Sequence, residues 1–343
     1  MLSGGSSNAV ERVLITSTPF GAVDRRPLES LAQIGAEVRL NPLERRPTEE
    51  ELVGLLRDVD AVLAGTEPFT AKVMDAAPRL QLISRIGVGL DSVDLLAARE
   101  RGIEVCFTPD APIPAVAEMT IGLILTTLRG VHISNINMHA GRWHRVLGRS
   151  LGESIVGILG VGRIGKEVLD TLIRMTPRKI LLHDRIKDCG LALRVPDVEI
   201  EWVSFGRLLA ESDVLTVHLP LTSDTSGVIG KEELFSLKPD AIVVNTSRGG
   251  IIREADLCEV LIAGHLGGVA LDVFETEPYR GPLRGIERCL LTSHMASASV
   301  GCRVQMETEA AAEVVRFACS RPLISPVPES EYRRREVNRM SDQ

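Results

Sequence analysis

The chain has 343 residues, and at about 150 residues per domain this length suggests two domains. Hydrophobic residues make up 44% and charged residues 25% of the chain, which excludes intrinsic disorder over most of its length and predicts a sizeable buried core. The formal net charge is −7. Without a basic, aromatic-rich stretch, this charge argues against sequence-independent binding of nucleic acid.

Targeting and redox signals are weak. Residues 1–8 are small and polar, without the apolar core of a signal peptide. The longest apolar stretch, 121–128, is far shorter than the roughly 20 residues of a membrane span. The cysteines form no C-x-x-C pair and no zinc spacing, which favours reduced thiols and a cytoplasmic protein without a membrane partner. They are Cys106, Cys189, Cys258, Cys289, Cys302 and Cys319.

The first third of the chain alternates short strands and helices. The predicted strands are 12–16, 37–40, 61–64, 82–84 and 103–105, and the predicted helices are 26–34, 48–56 and 95–101. Such alternation with short connections is typical of a parallel sheet that is covered by helices on both faces. Pro109, Pro112 and Pro114 then interrupt the pattern before a long apolar helix, 116–128, and predict a domain boundary.

A second alternating series runs from Ser154 to about Leu291, and a helix is predicted over 301–317. Three prolines follow this helix. The segment from Glu329 is rich in arginine and acidic residues and poor in apolar ones, so we expect 326–343 to form a flexible, solvated tail.

The strongest motif joins a strand to a helix. The apolar run 154–159 leads into Gly160-Val161-Gly162-Arg163-Ile164-Gly165 and then into a helical pattern. In a dinucleotide-binding turn, the first glycine permits the tight turn, the second admits the pyrophosphate, and the third lets the helix pack on the strand. The helix N-terminus offers N–H groups to the phosphates.

An acidic residue ends the next predicted strand. Asp184 lies 19 residues beyond Gly165, where a carboxylate accepts hydrogen bonds from the adenosine ribose and repels a 2′-phosphate. We therefore expect NAD rather than NADP as cofactor. The neighbouring Arg185 leaves the strictness of this preference open, because an arginine can hold that phosphate.

Polar residues follow four more predicted strands, in the segments 217–222, 243–250, 271–278 and 291–296. In an open parallel sheet, ligands bind beyond the carboxyl ends of the strands. An arginine, a glutamate and a histidine (Arg248, Glu277 and His294) meet there in this prediction. Beside a nicotinamide, such a set suits the oxidation of a hydroxyl group next to a carboxylate.

With these segments, the chain resembles the D-isomer-specific 2-hydroxyacid dehydrogenases, and within them the phosphoglycerate dehydrogenase-like branch. The resemblance covers roughly residues 12–320 and includes the glycine turn, His-Leu-Pro-Leu-Thr, Asn-Thr-Ser-Arg-Gly-Gly, Asp-Val-Phe-Glu-Thr-Glu-Pro and Ser-His, in family order. It implies an α/β fold of two Rossmann-like, doubly wound parallel-sheet domains. The cofactor domain (116–295) is inserted into a flavodoxin-like substrate domain (9–115 and 296–325).

The resemblance also implies residue roles. Arg248 matches the catalytic arginine that grips the substrate carboxylate and polarises the carbonyl, and His294 matches the general acid/base. Glu277 matches the acid that orients this histidine and raises its pKa. Arg85, with the amides of Val88 and Gly89, matches the substrate-binding loop. The implied cofactor contacts are Gly160, Gly162, Arg163, Ile164, Gly165, Asp184, His218, Pro220, Thr225, Thr246, Ser247, Arg248, Asp272 and His294.

A homodimer formed through the cofactor domain, including the region 131–149, is a further implication. His132, His139 and His144 lie in this region. Their spacing leaves a metal site open, but exposed or interface histidines are favoured, and we expect no metal.

One segment departs from the family pattern. Phosphoglycerate-oxidising members carry an arginine after the third strand, whereas this chain reads Ala64-Gly65-Thr66-Glu67-Pro68. We expect Glu67 to face the substrate and to repel a second anionic group. The substrate therefore stays open between 3-phosphoglycerate, glyoxylate or hydroxypyruvate, a larger 2-hydroxy acid and a phosphonate analogue.

Other functions on the same fold are weighed against this one. An NAD-sensing corepressor shares the fold and the catalytic set, but this chain has no long interaction arms. Formate-oxidising relatives carry glutamine where this chain has Glu277. Phosphite oxidation stays open. The leading hypothesis is an NAD-dependent oxidoreductase that interconverts a D-2-hydroxy acid and its 2-oxo acid.

Overall fold

The structure is a computed structural model that describes residues 10–188, 194–195 and 198–341. The described residues fall into two compact units, which divide after Pro112 and after Ala298, where the sequence predicts 115 and 295. The first unit is thus built from two segments of the chain, with the second unit between them in sequence. Cys189 lies outside the described residues, and the other five cysteines are free thiols.

The first unit contains a five-stranded parallel sheet. Its strands are β1 (Arg12–Ile15), β2 (Glu37–Leu40), β3 (Ala61–Ala64), β4 (Leu82–Arg85) and β5 (Glu104–Phe107). Its helices are α1 (Arg26–Gln33), α2 (Glu49–Leu55), α3 (Ala71–Asp75), α4 (Leu95–Glu100), α11 (Val300–Ala318) and α12 (Glu329–Ser341). The strand order is β2-β1-β3-β4-β5, the flavodoxin-like order of doubly wound folds.

The second unit contains an eight-stranded sheet. Its strands are β6 (Ile155–Leu159), β7 (Lys179–His183), β8 (Arg194–Val195), β9 (Val198–Trp202), β10 (Val214–Val217), β11 (Ile242–Asn245), β12 (Gly268–Leu271) and β13 (Cys289–Leu291). Its helices are α5 (Ile113–Leu128), α6 (Val131–His139), α7 (Arg163–Arg174), α8 (Phe205–Glu211), α9 (Lys231–Ser236) and α10 (Glu254–Ile262).

The strands of this sheet are arranged β13-β12-β11-β10-β6-β7-β9-β8, and every pair except β8–β9 is parallel. The order reverses at β6, as in the Rossmann fold, where a dinucleotide binds at this reversal. Two apolar clusters cover the two faces, and α5 and α7 pack together on one of them. The predicted α/β class with two parallel-sheet domains is confirmed.

The proline-rich boundary is where α5 begins. Pro114 lies in the first turn of this helix, where the missing N–H of proline leaves no helical hydrogen bond unmade. The helix therefore begins three residues before the predicted start at 116. Among the described helices, none alone has the length and apolar character to cross a membrane, while α5 and α6 together pass that test with a bend of 66° between them.

The expectation of a flexible tail is wrong for the described part of 326–341. Pro326 pairs with Cys106 in an isolated β-bridge, and Glu329–Ser341 forms α12, which packs on α4. Tyr332 is buried in the apolar core of the first unit, with the Arg99 guanidinium 3.6 Å from its ring centre. One buried aromatic residue thus anchors a segment whose average composition indicates a solvated tail.

A buried aspartate precedes one strand in each sheet and fixes the start of the neighbouring strand. The carboxylate of Asp60 accepts hydrogen bonds from the Arg12 amide (2.8 Å) and the Arg79 side chain (2.9 Å). Asp213 accepts from the Ile155 amide (2.8 Å) and from two basic side chains. Each carboxylate accepts hydrogen bonds from backbone amides that would otherwise be unsatisfied where the neighbouring strand begins.

Replacing Asp60 by alanine should lower the free energy of unfolding by about 3 kcal/mol, because it leaves the Glu11 and Arg12 amides without their acceptor and removes one of the two carboxylate partners of Arg79. Asp58→Ala is the matched control, since the Asp58 side chain is 42% exposed and its ion pairs with Arg39 and Arg12 are screened by solvent, so its midpoint should stay close to that of the parent. Thermal unfolding followed by circular dichroism measures both. Equal midpoints for the two variants would contradict this role.

Candidate active site

The glycine turn lies between β6 and α7 and is built by close backbone contacts. Gly160 has a φ of +93°, and a Cβ there would lie 2.7 Å from the carbonyl oxygen of His218. A Cβ at Gly165 would lie 2.0 Å from the carbonyl oxygen of Gly160. Both positions therefore require glycine, as the sequence predicts.

Gly162 differs from these two glycines, because a Cβ there would meet no atom within 4 Å. It is the N-cap of α7, and no side chain caps this helix end. An open surface beside uncapped helical N–H groups suits a phosphate or pyrophosphate group. The residues present therefore fit a bound dinucleotide.

Asp184 joins the glycine turn to the end of β7. Its Oδ2 accepts a hydrogen bond from the Val161 amide (2.7 Å), and its Oδ1 accepts one from the Ile186 amide (3.1 Å). Each oxygen retains a lone pair for a ribose hydroxyl. The neighbouring Arg185 is exposed and forms an ion pair of 3.4 Å with Asp224. Because solvent screens both charges, this ion pair contributes little to the stability of this edge of the sheet.

His218 follows β10 and lies beside the glycine turn. Its Nε2 lies 2.9 Å from Thr216 Oγ1, whereas its Nδ1 is shielded from solvent and has no partner within the described residues. Desolvation lowers the pKa of His218 to about 3, so the ring is neutral at pH 7. Nearby, Thr225 Oγ1 donates to the carbonyl of Pro220 (2.6 Å) and shapes the turn after β10.

Asn245, at the end of β11, sets the conformation of the turn that carries Arg248. Its side-chain oxygen accepts from the amide and the hydroxyl of Ser247 (3.0 and 2.7 Å), and its amide nitrogen donates to the carbonyl of Arg248 (2.9 Å). Thr246 bonds Thr120 of α5 at 2.7 Å. Arg248 is thus presented, half-buried, by an Asx-type turn. No role for Asn245 was predicted from the sequence.

The next glycine brings two loops together. A Cβ at Gly249 would lie 2.0 Å from the backbone of Phe274. The turn after β11 therefore packs directly on the loop after β12, which carries Glu277. An alanine at 249 would push the two loops apart.

Asp272 follows β12 and is fully buried. Its Oδ1 accepts from the Thr292 hydroxyl (2.6 Å) and the Met295 amide (2.9 Å), and its Oδ2 accepts from the Ala296 amide (2.8 Å). The resemblance to the family implies that Asp272 is a cofactor contact. With its carboxylate enclosed in this way, the side chain shapes the loop that carries His294, and its contact with the cofactor stays a prediction.

His294 and Glu277 form a hydrogen-bonded pair. The Nδ1 atom of His294 lies 2.8 Å from Glu277 Oε2 and 3.1 Å from Oε1. An ionised carboxylate only accepts, so Nδ1 carries a hydrogen and Nε2 is the free acceptor of the neutral ring. The His294 backbone has a φ of +53°, which costs about 1 kcal/mol in a residue with a side chain.

Two glutamates for which the sequence predicts no role hold the Glu277 loop. The Glu254 amide donates to the Glu275 side chain (2.9 Å), and the Glu275 amide donates to the Glu254 side chain (2.6 Å). Burial raises the pKa of Glu254, as do the charges of Glu275 and Glu277. The two carboxylates lie 21 positions apart in sequence, and no motif connects them.

In the first unit, the predicted substrate-binding loop follows β4. Arg85 is buried, and its guanidinium donates to the carbonyl of Ile86. Within the described part of the chain, the N–H groups of Val88 and Gly89 donate to no other group. Two adjacent amides of this kind can bind an anion.

The side chain of Glu67, which the sequence predicts to face the substrate, is buried in this unit. It is 2% exposed, and its Oε1 accepts from the Gly65 amide (2.7 Å) and the Thr16 hydroxyl. The expectation that it faces the substrate gives way to a role in holding the turn after β3. Among the described residues, no group of three or more His, Cys, Asp or Glu side chains could hold a metal ion.

In the second unit, the polar residues gather beyond the carboxyl ends of β6, β7, β10, β11, β12 and β13. A dinucleotide turn and a histidine–carboxylate pair at the same edge define an oxidoreductase of the Rossmann class. The NAD-binding domain model of the D-isomer specific 2-hydroxyacid dehydrogenases matches residues 121–296. The chain belongs to this family, and the resemblance found in the sequence is confirmed. It is an NAD-dependent oxidoreductase of D-2-hydroxy acids.

Several relatives are similar over most of the chain. A glyoxylate reductase of Thermofilum pendens is 36% identical over 278 residues, which are 78% of this chain and 81% of the relative. A D-3-phosphoglycerate dehydrogenase of Mycobacterium leprae is 32% identical over 86% of this chain and 56% of the relative. The solved structure of an NADPH-dependent glyoxylate/hydroxypyruvate reductase of Sinorhizobium meliloti, in complex with NADP and malonate, is 30% identical, with a TM-score of 0.80 over 94% of this chain and 98% of that chain.

The contrast between Gly162 and Gly165 gives a test of the dinucleotide site. Gly162→Ala should keep the thermal midpoint of the parent but weaken NADH binding at least tenfold, because the new methyl group occupies open surface that the pyrophosphate needs. Gly165→Ala should lower the midpoint as well, because its Cβ meets backbone. Differential scanning fluorimetry and NADH fluorescence titration measure the two effects. Unchanged NADH affinity in Gly162→Ala would place the cofactor elsewhere.

Proposed function

We propose that this chain reduces small 2-oxo acids with a single carboxylate, of the glyoxylate and hydroxypyruvate class, to D-2-hydroxy acids with NADH. The observation that carries this proposal is the His294–Glu277 pair at the same sheet edge as Arg248 and the glycine turn. When bound there, the nicotinamide supplies the hydride.

In this proposal, His294 is the general acid/base. With Nδ1 held by Glu277, Nε2 is the atom that exchanges a proton with the substrate oxygen: it donates in reduction and accepts in oxidation. Glu277 stabilises the protonated ring and fixes its orientation, as a carboxylate does in other acid–base pairs. Asp272 acts through the loop and positions the ring.

In the second unit, Arg248 is assigned to the substrate carboxylate. In the first unit, the amides of Val88 and Gly89 are assigned to the substrate as an anion-binding group. A guanidinium matches a carboxylate with two parallel hydrogen bonds. Adjacent backbone amides supply further donors without the entropy cost of ordering a long side chain. The Arg248 charge also polarises the carbonyl group that receives the hydride.

The proposed substrate size follows from the turn after β3. Residues 64–68 contain no cation, and the acidic side chain among them, Glu67, is buried and bonded to the turn itself. A phosphate group on the substrate would therefore lack a charge partner at this turn. The second candidate is 3-phosphoglycerate, which the Mycobacterium leprae relative favours. This chain spans only about half of that relative.

The test is an NADH-oxidation screen of the full chain with glyoxylate, hydroxypyruvate, pyruvate and 3-phosphohydroxypyruvate, repeated with NADPH. We expect the first two substrates to give the highest kcat/KM. His294→Asn should lower kcat by about 10² to 10⁴. Arg248→Lys should lower kcat/KM, because an ammonium group cannot form the paired hydrogen bonds.

His265→Asn is the matched control, because His265 precedes β12 in the same unit and lies at the opposite edge of the sheet. It should leave kcat within twofold of the parent. Preference for the phosphorylated substrate would favour the second candidate. Full activity of His294→Asn would remove this histidine from the mechanism, and activity with none of these acids would overturn the proposed substrate class.

We also propose a homodimer formed through the region 131–149 of the second unit. This region exposes large apolar side chains, among them Trp143 at 78% and Leu147 at 100% exposure. Clustered exposed apolar groups mark interaction surfaces.

Light scattering coupled to size exclusion should therefore give twice the chain mass of 37.2 kDa. Leu147→Arg should shift the mass to that of a single chain, because the interface would have to bury a charge. Ile262→Arg is the control, since Ile262 is exposed in the same unit but outside this region. A parent protein of 37 kDa would refute the dimer.

A further inference from the structure

The loop between β4 and α4, which carries Val88 and Gly89, is fixed at its first end by Thr108. The Gly87 amide donates to the Thr108 hydroxyl (2.7 Å), and the Thr108 amide donates back to the Gly87 carbonyl (3.3 Å). Gly87 has a φ of +132°, a conformation that residues with side chains rarely adopt. The start of the loop is therefore held in a defined conformation.

The other end of the loop is held by Arg335. The Leu90 carbonyl accepts the Val93 amide (3.2 Å) and Nη2 of Arg335 (2.7 Å). The Leu90 side chain is buried in the same apolar cluster as Tyr332. Arg335 Nε is shielded from solvent and has no partner among the described residues. The hydrogen bond to the Leu90 carbonyl therefore offsets part of the cost of removing the guanidinium from water.

Arg335 reaches the loop from a helix that is itself well anchored. Arg99 of α4 stacks on the Tyr332 ring and forms an ion pair of 2.6 Å with Glu329. Further along α12, Arg339 pairs with Glu100 at 3.2 Å. Contacts on both sides of Arg335 along the helix therefore fix its backbone against α4.

We propose that Arg335 is a positioning residue, which aims the Val88 and Gly89 amides at the substrate carboxylate. This inference rests on the proposed function, which assigns those amides to the substrate. Arg335 acts through the Leu90 carbonyl and does not touch the substrate. Without it, the second end of the loop loses its charged donor, and the two amides sample orientations that do not bind.

The experiment measures steady-state kinetics of the full chain with glyoxylate and NADH. Arg335→Ala should raise KM for glyoxylate about tenfold, as expected for loss of one charged hydrogen bond, with kcat and KM for NADH within twofold of the parent. Arg335→Lys should recover most of the affinity, because an ammonium group can donate to the same carbonyl. Hydrogen exchange of the peptide covering 86–93 should speed up in the alanine variant only.

Arg333→Ala is the matched control, since Arg333 lies on the same helix and is exposed. This substitution removes the same charge as Arg335→Ala. It should leave all constants unchanged. Gly87→Ala, whose Cβ would lie 2.6 Å from Arg85 Nη1, disturbs the loop directly and should raise KM for glyoxylate.

The outcomes separate the two proposals. If Gly87→Ala raises KM and Arg335→Ala does not, the positioning role is overturned and the proposed function stands. If Arg335→Ala lowers the thermal midpoint and kcat without a selective change in KM, Arg335 is merely structural. If neither variant changes KM for a 2-oxo acid that the parent reduces, the loop does not bind the substrate, and the assignment in the proposed function fails with the inference.

Discussion

The candidate site depends on one buried carboxylate. Asp272 accepts three hydrogen bonds from 292–296 and has no exposed surface. A buried charge is tolerated only when hydrogen bonds compensate for lost hydration, so this loop has little freedom to rearrange. The same bonds hold His294 at a φ of +53°, a strained conformation that persists because its surroundings determine it.

Close contacts between backbone segments then fix neighbouring loops against each other at this edge of the sheet. Gly165 lies against Gly160, Gly160 against His218, and Gly249 against Phe274. Each contact is too short for a side chain, so the glycines act as spacers of fixed size. As a result, the dinucleotide turn is coupled through the main chain to the segment after β10, and the Arg248 turn to the Glu277 loop, which suits the geometric tolerance of a hydride transfer.

The sequence predicts the features that a local pattern encodes. The strands 37–40 and 61–64 have the predicted bounds, since turn residues lie close to both ends of each. The two parallel-sheet domains follow from the alternation, and the family from ordered motifs. The placement of Glu67 could not be predicted, because its partner Thr16 lies 51 positions away. The helix over 329–341 was not predicted for a similar reason. Tyr332 anchors it in an apolar cluster whose other residues are distant in sequence, whereas composition averages over the segment.

Asn245 and Asp272 show a second limit. Both residues stand in motifs that the sequence reveals, yet a motif does not distinguish a side chain that touches a ligand from one that shapes the turn. That distinction rests on burial and on the count of hydrogen bonds, which are properties of the fold. The catalytic assignments to Arg248, Glu277 and His294 remain predictions, and the structure supports them by placing a carboxylate against one ring nitrogen of a histidine whose side chain is 36% exposed.

The discontinuous first unit has a consequence for the loop at residues 86–91. Its conformation depends on a residue that lies 245 positions later in the chain, after the whole second unit. We expect such a contact to form late in folding, because closing so long a stretch of chain costs more entropy than forming a local contact. The dinucleotide turn, in contrast, is built from 155–184 and needs few distant partners beyond β10. The cofactor site can therefore form before the proposed carboxylate-binding loop reaches its final conformation, and α12 is the last element on which that conformation depends.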